Sequence, residues 1–323
     1  MPRLPPTLFW QARRLISPLA PLILPVCRDL ETTSNELRWI RDHVKSHPSP
    51  IPSKLRIWQL VDKRSNGTPL QYVLGTQPFG SLEILCRKGV LIPRHCTESY
   101  TLYLSTLISS SSPSPIKVLD LCTGTGCIPL LLTFLLPSAT ATAIDTSPIS
   151  ISLAKQNFLH NFSSLPPSSN MTFTQNDIFS PLSLPSSPDI LTANPPYISS
   201  SLFQSTQTTR SVRHFEPKLA LVPGDHLKQK AIEYNCRLED VFYARILEIA
   251  REIAAKRVLL EVAGWEQAVR VVEMIEGKEY GTVGIWKDEV YGATHIVEET
   301  QIGRRKIKVI GEGEARAVYL SRI

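Results

Sequence analysis

The spacing of apolar positions changes along the chain and divides it into segments. Between residues 33 and 74 the pattern is helical. Leu37, Ile40 and Val44 recur at three- and four-residue steps, as do Ile57, Leu60 and Val61, and Pro48, Pro50 and Pro52 separate the two runs. This predicts a small helical domain over residues 29–77. Over residues 79–93 the period shortens to two. Leu82, Ile84 and Cys86 alternate, Arg87-Lys88-Gly89 offers a turn, and Val90, Leu91 and Ile92 follow. That predicts a β-hairpin inside a linker of residues 78–97.

From residue 98 onward, helical and extended patterns alternate. Helices are expected at 98–109, 127–136, 148–161, 242–255 and 265–276. Strands are expected at 117–121, 139–144, 171–175, 190–193, 257–262, 284–287 and 317–320. Ser/Pro/Thr-rich stretches at 110–115, 162–170, 180–188 and 199–211 read as surface loops. Strands alternating with helices predict an α/β domain over residues 98–323, built on a doubly wound, mostly parallel sheet.

Composition and charge narrow the function. Hydrophobic residues at 42% and charged residues at 20% suit a globular chain. Of the net charge of +6, residues 1–28 hold +4, from Arg3, Arg13, Arg14 and Arg28 with no acid, so the remainder holds +2. That balance argues against a direct nucleic-acid surface. The cluster Arg304, Arg305, Lys306 and Lys308 reads as a solvated strand or loop edge. The acid-free, Arg-bearing start has the composition of an organellar transit peptide, so residues 1–28 are expected to target mitochondria, with a helix of the mature protein as the alternative. The apolar run from Leu15 to Cys27 is too short for a membrane span and is broken by Pro18, Pro21 and Pro25, so no membrane association is expected. Cys27, Cys86, Cys96, Cys122, Cys127 and Cys236 form no CxxC pair, so no metal site is expected and the thiols read as reduced.

Three strand ends carry ligand-binding chemistry. After the 117–121 strand comes Asp120-Leu121-Cys122-Thr123-Gly124-Thr125-Gly126. Gly124 and Gly126 permit a tight turn and a close backbone approach. Pro129 stands where a dinucleotide fingerprint has its third glycine, which disfavours NAD. Asp120 beside the turn suits a ligand bearing a cation, such as an aminoacyl sulfonium, better than a pyrophosphate. Asp145 ends the second strand about 20 residues on, where an acid can bond ribose hydroxyls; the alternative is a helix cap. Asp177 follows the third strand, placed to accept from an adenine amino group or to form a turn, and Ile178 would cover the ring.

Asn194-Pro195-Pro196-Tyr197 follows the fourth strand. Two prolines force the chain out of the sheet and stiffen it. The Asn194 side-chain oxygen and the Pro195 carbonyl can then accept the two N–H bonds of one planar NH2 group, with Tyr197 as an aromatic wall. An amide nitrogen is a poor nucleophile, and fixed acceptors can orient it and stabilise charge as a methyl arrives.

With that tetrapeptide, the chain resembles the HemK/PrmC family of release-factor glutamine methyltransferases, of the fungal mitochondrial type, over roughly residues 60–323. The segment from Arg64 ending Pro69-Leu70-Gln71-Tyr72-Val73-Leu74-Gly75 is similar to the family linker. Leu91-Ile92-Pro93-Arg94 with Thr97 and Glu98, and Phe215-Glu216-Pro217 with Ala220-Leu221, are further matching blocks. The resemblance implies a Rossmann-like class I methyltransferase domain, S-adenosyl-L-methionine as cofactor, and methylation of the glutamine in the Gly-Gly-Gln loop of a peptide chain release factor. It implies that Asp120, Cys122, Thr123, Gly124, Thr125, Gly126, Asp145, Asp177, Ile178 and Asn194 bind the cofactor. Asn194, Pro195, Pro196 and Tyr197 would form the catalytic motif. Departures are His95-Cys96 before Thr97-Glu98 where the family has Pro-Glu-Thr-Glu, Ile178 where a Trp is common, Cys122 where a Gly is usual, and an insertion over residues 228–240.

Other candidates carry less. His214 and His295 are lone histidines and read as surface or core. Glu261 ends the fifth strand, where a crevice-facing and a structural role are equally open, and it is not assigned to the site. The helical domain is expected to dock the protein substrate, and a monomer is expected. Competing functions are adenine-N6 methylation of DNA or RNA, which uses the same tetrapeptide but needs base flipping and a basic groove; glutamine methylation of a ribosomal protein; and a non-catalytic assembly role.

Overall fold

The structure, a computed structural model, describes residues 3–109, 115–163, 171–277, 279–291 and 297–322. The expected loop 110–115 lies outside them except for Pro115, 162–170 except for its first two residues, and His295 entirely. The chain forms two compact units, and the division falls within the hairpin: residues 1–77, 86–88 and 209–216 form one unit, and the remainder the other.

The first unit is helical. Helices Leu30–Ser46, Ser53–Ser65 and Leu70–Leu74 follow the apolar period. Asp29 caps the first, its carboxylate accepting from the Thr32 N–H at 2.7 Å. Arg64 donates twice to the buried carboxylate of Glu36, at 2.6 and 2.9 Å, and so joins the two longer helices. Residues 6–27 are also helical, as Pro6–Gln11, a π turn over Ala12–Ile16, and Ala20–Cys27. Their Ala12, Ala20, Ile23 and Leu24 are fully buried in one cluster with Leu37, Ile40 and Val61. This packing is what the alternative reading of the start, a helix of the mature protein, describes. An apolar run that reads as a targeting segment by composition is, by packing, part of this helical core.

Strands β1 (Thr76–Phe79) and β2 (Leu82–Leu85) form a two-stranded sheet. The hairpin is thus one strand earlier than expected. Its turn is Gly80-Ser81, with Gly80 at φ +58, and not Arg87-Lys88-Gly89. A two-residue loop with glycine at positive φ in first position matches strand twist, and residues 91–94 stay irregular.

The central sheet contains β3 (Lys117–Leu121), β4 (Thr140–Asp145), β5 (Met171–Gln175), β6 (Ile190–Ala193), β7 (Arg257–Glu261), β8 (Tyr280–Lys287), β9 (Val297–Ile302), β10 (Arg305–Ile310) and β11 (Ala315–Arg322). Their order is β5-β4-β3-β6-β7-β11-β8-β10-β9. The five strands β3 to β7 are mutually parallel, and β11 is antiparallel to both its neighbours. The mostly parallel, doubly wound architecture is as expected. Helices cover both faces. Tyr243, Ile246, Ile249 and Val271 pack on one, and Tyr100, Leu104, Ile108, Leu130 and Leu131 on the other. The basic cluster at 304–308 lies in the β9–β10 hairpin at the sheet edge, and the sheet is longer by these two strands than the periodicity indicated. Within 199–211, taken for a loop, Ser199 and Thr209 cap the short helices Ser200–Gln204 and Arg210–Phe215. Ser/Thr richness marks helix starts there.

Two positions beside the glycine turn show how the strand ends are constrained. Asp120 and Thr192 are register partners on β3 and β6, and the Thr192 hydroxyl donates to Asp120 Oδ1 at 2.5 Å. Asp120 is 1% exposed. Burial pushes its carboxyl up to about 7, opposed by the Thr123 and Thr192 hydroxyls beside it. Cys122, one residue past β3, has φ +60, a left-handed conformation that favours glycine.

Both features are testable by denaturant unfolding. Between the ordinary carboxylate value near ~4 and about 7, the folded state binds the Asp120 proton and the unfolded state does not. The stability Asp120 contributes therefore falls as pH rises through that window. The stability of Asp120→Asn minus that of the wild type should rise by roughly 1.4 kcal/mol per pH unit between about pH 5 and 7, then level off; a difference independent of pH would contradict the burial argument. At position 122, Cys122→Gly should be more stable than Cys122→Val by about 2 kcal/mol, because a β-branched residue is strained at this φ. Equal stability of the two variants would show that the backbone there is free to relax.

Candidate functional site

The parallel order places the C-terminal ends of β5, β4, β3 and β6 side by side, and the chain crosses over in opposite directions on the two sides of β3. A cavity of about 530 Å³ opens at these ends, a size that suits a nucleoside-sized ligand. Cys122, Thr123, Gly124, Thr125, Asp145, Asp177, Ile178, Asn194 and Pro196 all line it. Asp120 does not. Gly126, also expected to bind the cofactor, is not among the lining residues either; Asp120 lies behind the wall, bonded to Thr192 in the sheet, and its placement beside a cationic ligand is corrected accordingly. A side chain within a parallel strand points into one of the covered faces, so residues at or past the strand end, such as Asp145, reach the crevice and Asp120 does not.

The glycine turn is held by main-chain donors. Asp145 Oδ2 accepts from the Gly124 N–H at 2.8 Å, and Oδ1 from the Ser147 N–H at 2.8 Å. The helix Pro148–Phe162 is capped by Ser147 and not by Asp145, so the cap reading of Asp145 gives way to a turn-anchoring one. Burial raises the Asp145 carboxyl, against the lowering by the Ser147 and Gly124 N–H groups. A Cβ on Gly124 would meet nothing within 4 Å, so the turn is open on the ligand side, whereas one on Gly126 would come within 3.1 Å of Ala154. Asn157, 0% exposed, donates to the Thr125 carbonyl at 2.9 Å and accepts from the Leu85 N–H at 2.7 Å, fixing turn and hairpin strand together. The sequence signal was available: a polar residue on a helix face otherwise formed by Ser150, Ile151 and Ala154.

Asp177 is both a turn residue and a cavity residue, its Oδ1 accepting from the Phe179 N–H at 3.0 Å. Ile178 is only 4% exposed and belongs mainly to the core. Aromatic lining comes from Phe179 and Phe242, in edge contact with ring centroids 5.2 Å apart. The inserted segment backs this wall. Leu227, itself lining the cavity, clusters with Ala231 and Val241 against both phenylalanines, and Arg270 pairs with buried Asp240 at 2.5 Å.

At the tetrapeptide, Asn194 Oδ1 is buried and has no hydrogen-bond partner. A buried acceptor left unpaired costs about 1–3 kcal/mol and calls for a donor from a ligand. Pro195 is buried and Pro196 lines the cavity. Tyr197 is half-buried and is not among the lining residues. Its hydroxyl donates to Glu261 Oε1 at 2.8 Å, and its main-chain carbonyl accepts from Gln267 at 3.1 Å. The aromatic wall expected of Tyr197 is therefore turned away from the cavity, because its phenol has a buried carboxylate to reach. Burial raises the Tyr197 hydroxyl well above its ordinary value. An S-adenosyl-L-methionine molecule fits the residues present. An open glycine turn, an acid at the second strand end, an acid and aromatic rings at the third, and an unpaired acceptor at the fourth meet the needs of its parts.

Comparison with known proteins agrees. The family model for the methyltransferase small domain matches residues 82–243. The mitochondrial MRF1 N(5)-glutamine methyltransferase MTQ1 of Saccharomyces cerevisiae is 37% identical over 256 residues, 77% of this chain and 77% of that one. The probable MRF1 mitochondrial N(5)-glutamine methyltransferase mtq1 of Schizosaccharomyces pombe is 36% identical over 237 residues, 68% of this chain and 75% of that one. A release factor glutamine methyltransferase of Rhodopirellula baltica is 36% identical over 169 residues, 51% of this chain and 55% of that one. With the cavity at the strand ends and the tetrapeptide at its mouth, these matches place the chain in the release factor glutamine methyltransferase family of S-adenosyl-L-methionine-dependent enzymes.

Proposed function

We propose that the chain transfers a methyl group to the side-chain amide nitrogen of the glutamine in the Gly-Gly-Gln loop of a mitochondrial peptide chain release factor. The observation that carries this reading is the unpaired, buried Oδ1 of Asn194 beside the cofactor cavity. The residues act by orientation. Asn194 Oδ1 and the Pro195 carbonyl accept the two N–H bonds of the amide, which fixes the plane of a nitrogen whose lone pair is delocalised. The same acceptors stabilise positive charge as it develops on that nitrogen, and holding the reacting atoms in line removes entropy from the barrier. Bound S-adenosyl-L-methionine supplies an electrophilic methyl on its sulfonium. Residues from the glycine turn, Asp145, Asp177 and the Phe179–Phe242 wall would hold it.

Support for the protein substrate comes from the relatives, whose names assign them release factors, and from the small charge outside the N-terminal segment, which disfavours nucleic acid. Trp10, Trp39, Leu55 and Trp58 of the helical unit are exposed, and we assign this unit to substrate docking. Mitochondrial location rests on the two yeast relatives and on the acid-free start of the chain.

Two experiments check this. Transfer from methyl-labelled S-adenosyl-L-methionine should mark the release factor glutamine and neither DNA nor ribosomal proteins, and Asn194→Ala should lower kcat by roughly 100-fold or more. Label confined to DNA or a ribosomal protein, or full activity in the variant, would contradict the assignment. Residues 1–30 fused to a fluorescent protein should direct it to mitochondria; a uniformly cytosolic signal would remove the location.

A further inference from the structure

Glu261 joins a lining residue of the cavity, Thr97, to the last residue of the tetrapeptide, Tyr197. It ends β7 and is 1% exposed. Its Oε2 accepts from the Thr97 hydroxyl and the Tyr100 hydroxyl, each at 2.6 Å, and its Oε1 from the Tyr197 hydroxyl at 2.8 Å. Its main-chain carbonyl accepts from the Tyr243 hydroxyl at 2.7 Å. Thr97 lines the cavity, and Tyr197 closes the tetrapeptide.

A carboxylate accepts and does not donate, so each hydroxyl must point its proton at Glu261 and has one rotamer to occupy. Charge-assisted bonds of this length are about twice as strong as neutral ones. Tyr197 is held at its other end as well, where Gln267 donates to its carbonyl, and Gln267 is itself fixed by Asp240 Oδ1 at 2.8 Å. Pro195 and Pro196 restrict the two intervening φ angles. A clamp on Tyr197 therefore narrows the positions open to the Asn194 backbone three residues earlier, and the bond to Thr97 ties a lining residue to the same oxygen pair.

Building on the reading that Asn194 and Pro195 receive the substrate amide, we propose that Glu261 is a positioning residue for methyl transfer. Through the Tyr197 hydroxyl it sets the aim of the Asn194 acceptor. It touches neither cofactor nor substrate, so its loss lowers turnover and leaves cofactor affinity in place. Its partner Tyr100 donates to Oε2 and not to the Oε1 that receives Tyr197, so the Tyr100 hydroxyl matters for stability and not for aim.

The test uses full-length enzyme, methyl-labelled S-adenosyl-L-methionine and the release factor, with cofactor affinity and melting temperature measured in parallel. Glu261→Gln and Tyr197→Phe should each lower kcat about tenfold, with KM for the cofactor changed less than threefold. The double variant should fall no more than twofold below Glu261→Gln, because both changes break one linkage. Tyr100→Phe removes a hydroxyl from the same carboxylate and should keep kcat within twofold. Should Glu261→Gln fail to fold, the contrast between Tyr197→Phe and Tyr100→Phe decides alone. Additive losses in the double variant, or equal kcat losses for the two tyrosines, would overturn the assignment and mark Glu261 as purely structural. Wild-type kcat in Glu261→Gln would overturn it as well. If the wild type transfers nothing to the release factor, the underlying substrate reading falls, and this role with it.

Discussion

The site depends on one hydrogen bond between neighbouring strand ends: the Gly124 N–H on Asp145 Oδ2, at 2.8 Å. It joins the turn after β3 to the end of β4, and its geometry requires a backbone that only positive φ can supply, +55 at Gly124 and +79 at Gly126. With that turn fixed, the cavity has a floor, and the Pro-Pro segment after β6 has something to face. The parallel sheet provides the frame, because it brings four strand ends to one edge without any of them being near in sequence.

The remainder of the second unit reads as support for two surfaces. Asn157 braces the turn from behind, and Asp240, Gln267 and Arg270 anchor the 228–240 segment, which follows directly on the cavity residue Leu227. With Ile178 committed to the core, aromatic surface comes from Phe179 and Phe242, which the inserted segment packs against. The constraint throughout is that a buried polar group needs a partner. Among the described residues that line the cavity, Asn194 Oδ1 and Thr123 Oγ1 are the buried side-chain atoms left without a protein partner, one at the tetrapeptide and one on the glycine turn.

Much of this was legible in the sequence because the chemistry lies in short contiguous blocks. Gly124, Gly126, Asp145, Asp177 and Asn194 each follow a strand whose apolar run is plain, so strand order and site could be read together. Asp120 was misplaced because a residue inside a parallel strand and one just past it look alike in one dimension. Glu261 was undecidable because its partners Thr97 and Tyr100 are 164 and 161 residues away, and no local pattern encodes such pairs. Residues 6–27 show that apolar and Arg-bearing composition describes a targeting segment and a packed helix equally well. The hairpin shifted because Gly80-Ser81 is a weaker turn signal than the charged Arg87-Lys88-Gly89, while the backbone twist favours the former.

The central claim is that Asn194 Oδ1 and the Pro195 carbonyl receive the two N–H bonds of one glutamine amide. A crystal structure with S-adenosylhomocysteine and a Gly-Gly-Gln peptide measures this directly. The account predicts the glutamine nitrogen within about 2.7–3.2 Å of both oxygens. A glutamine side chain lying elsewhere, or Asn194 Oδ1 bonded to a protein donor in that complex, would contradict it.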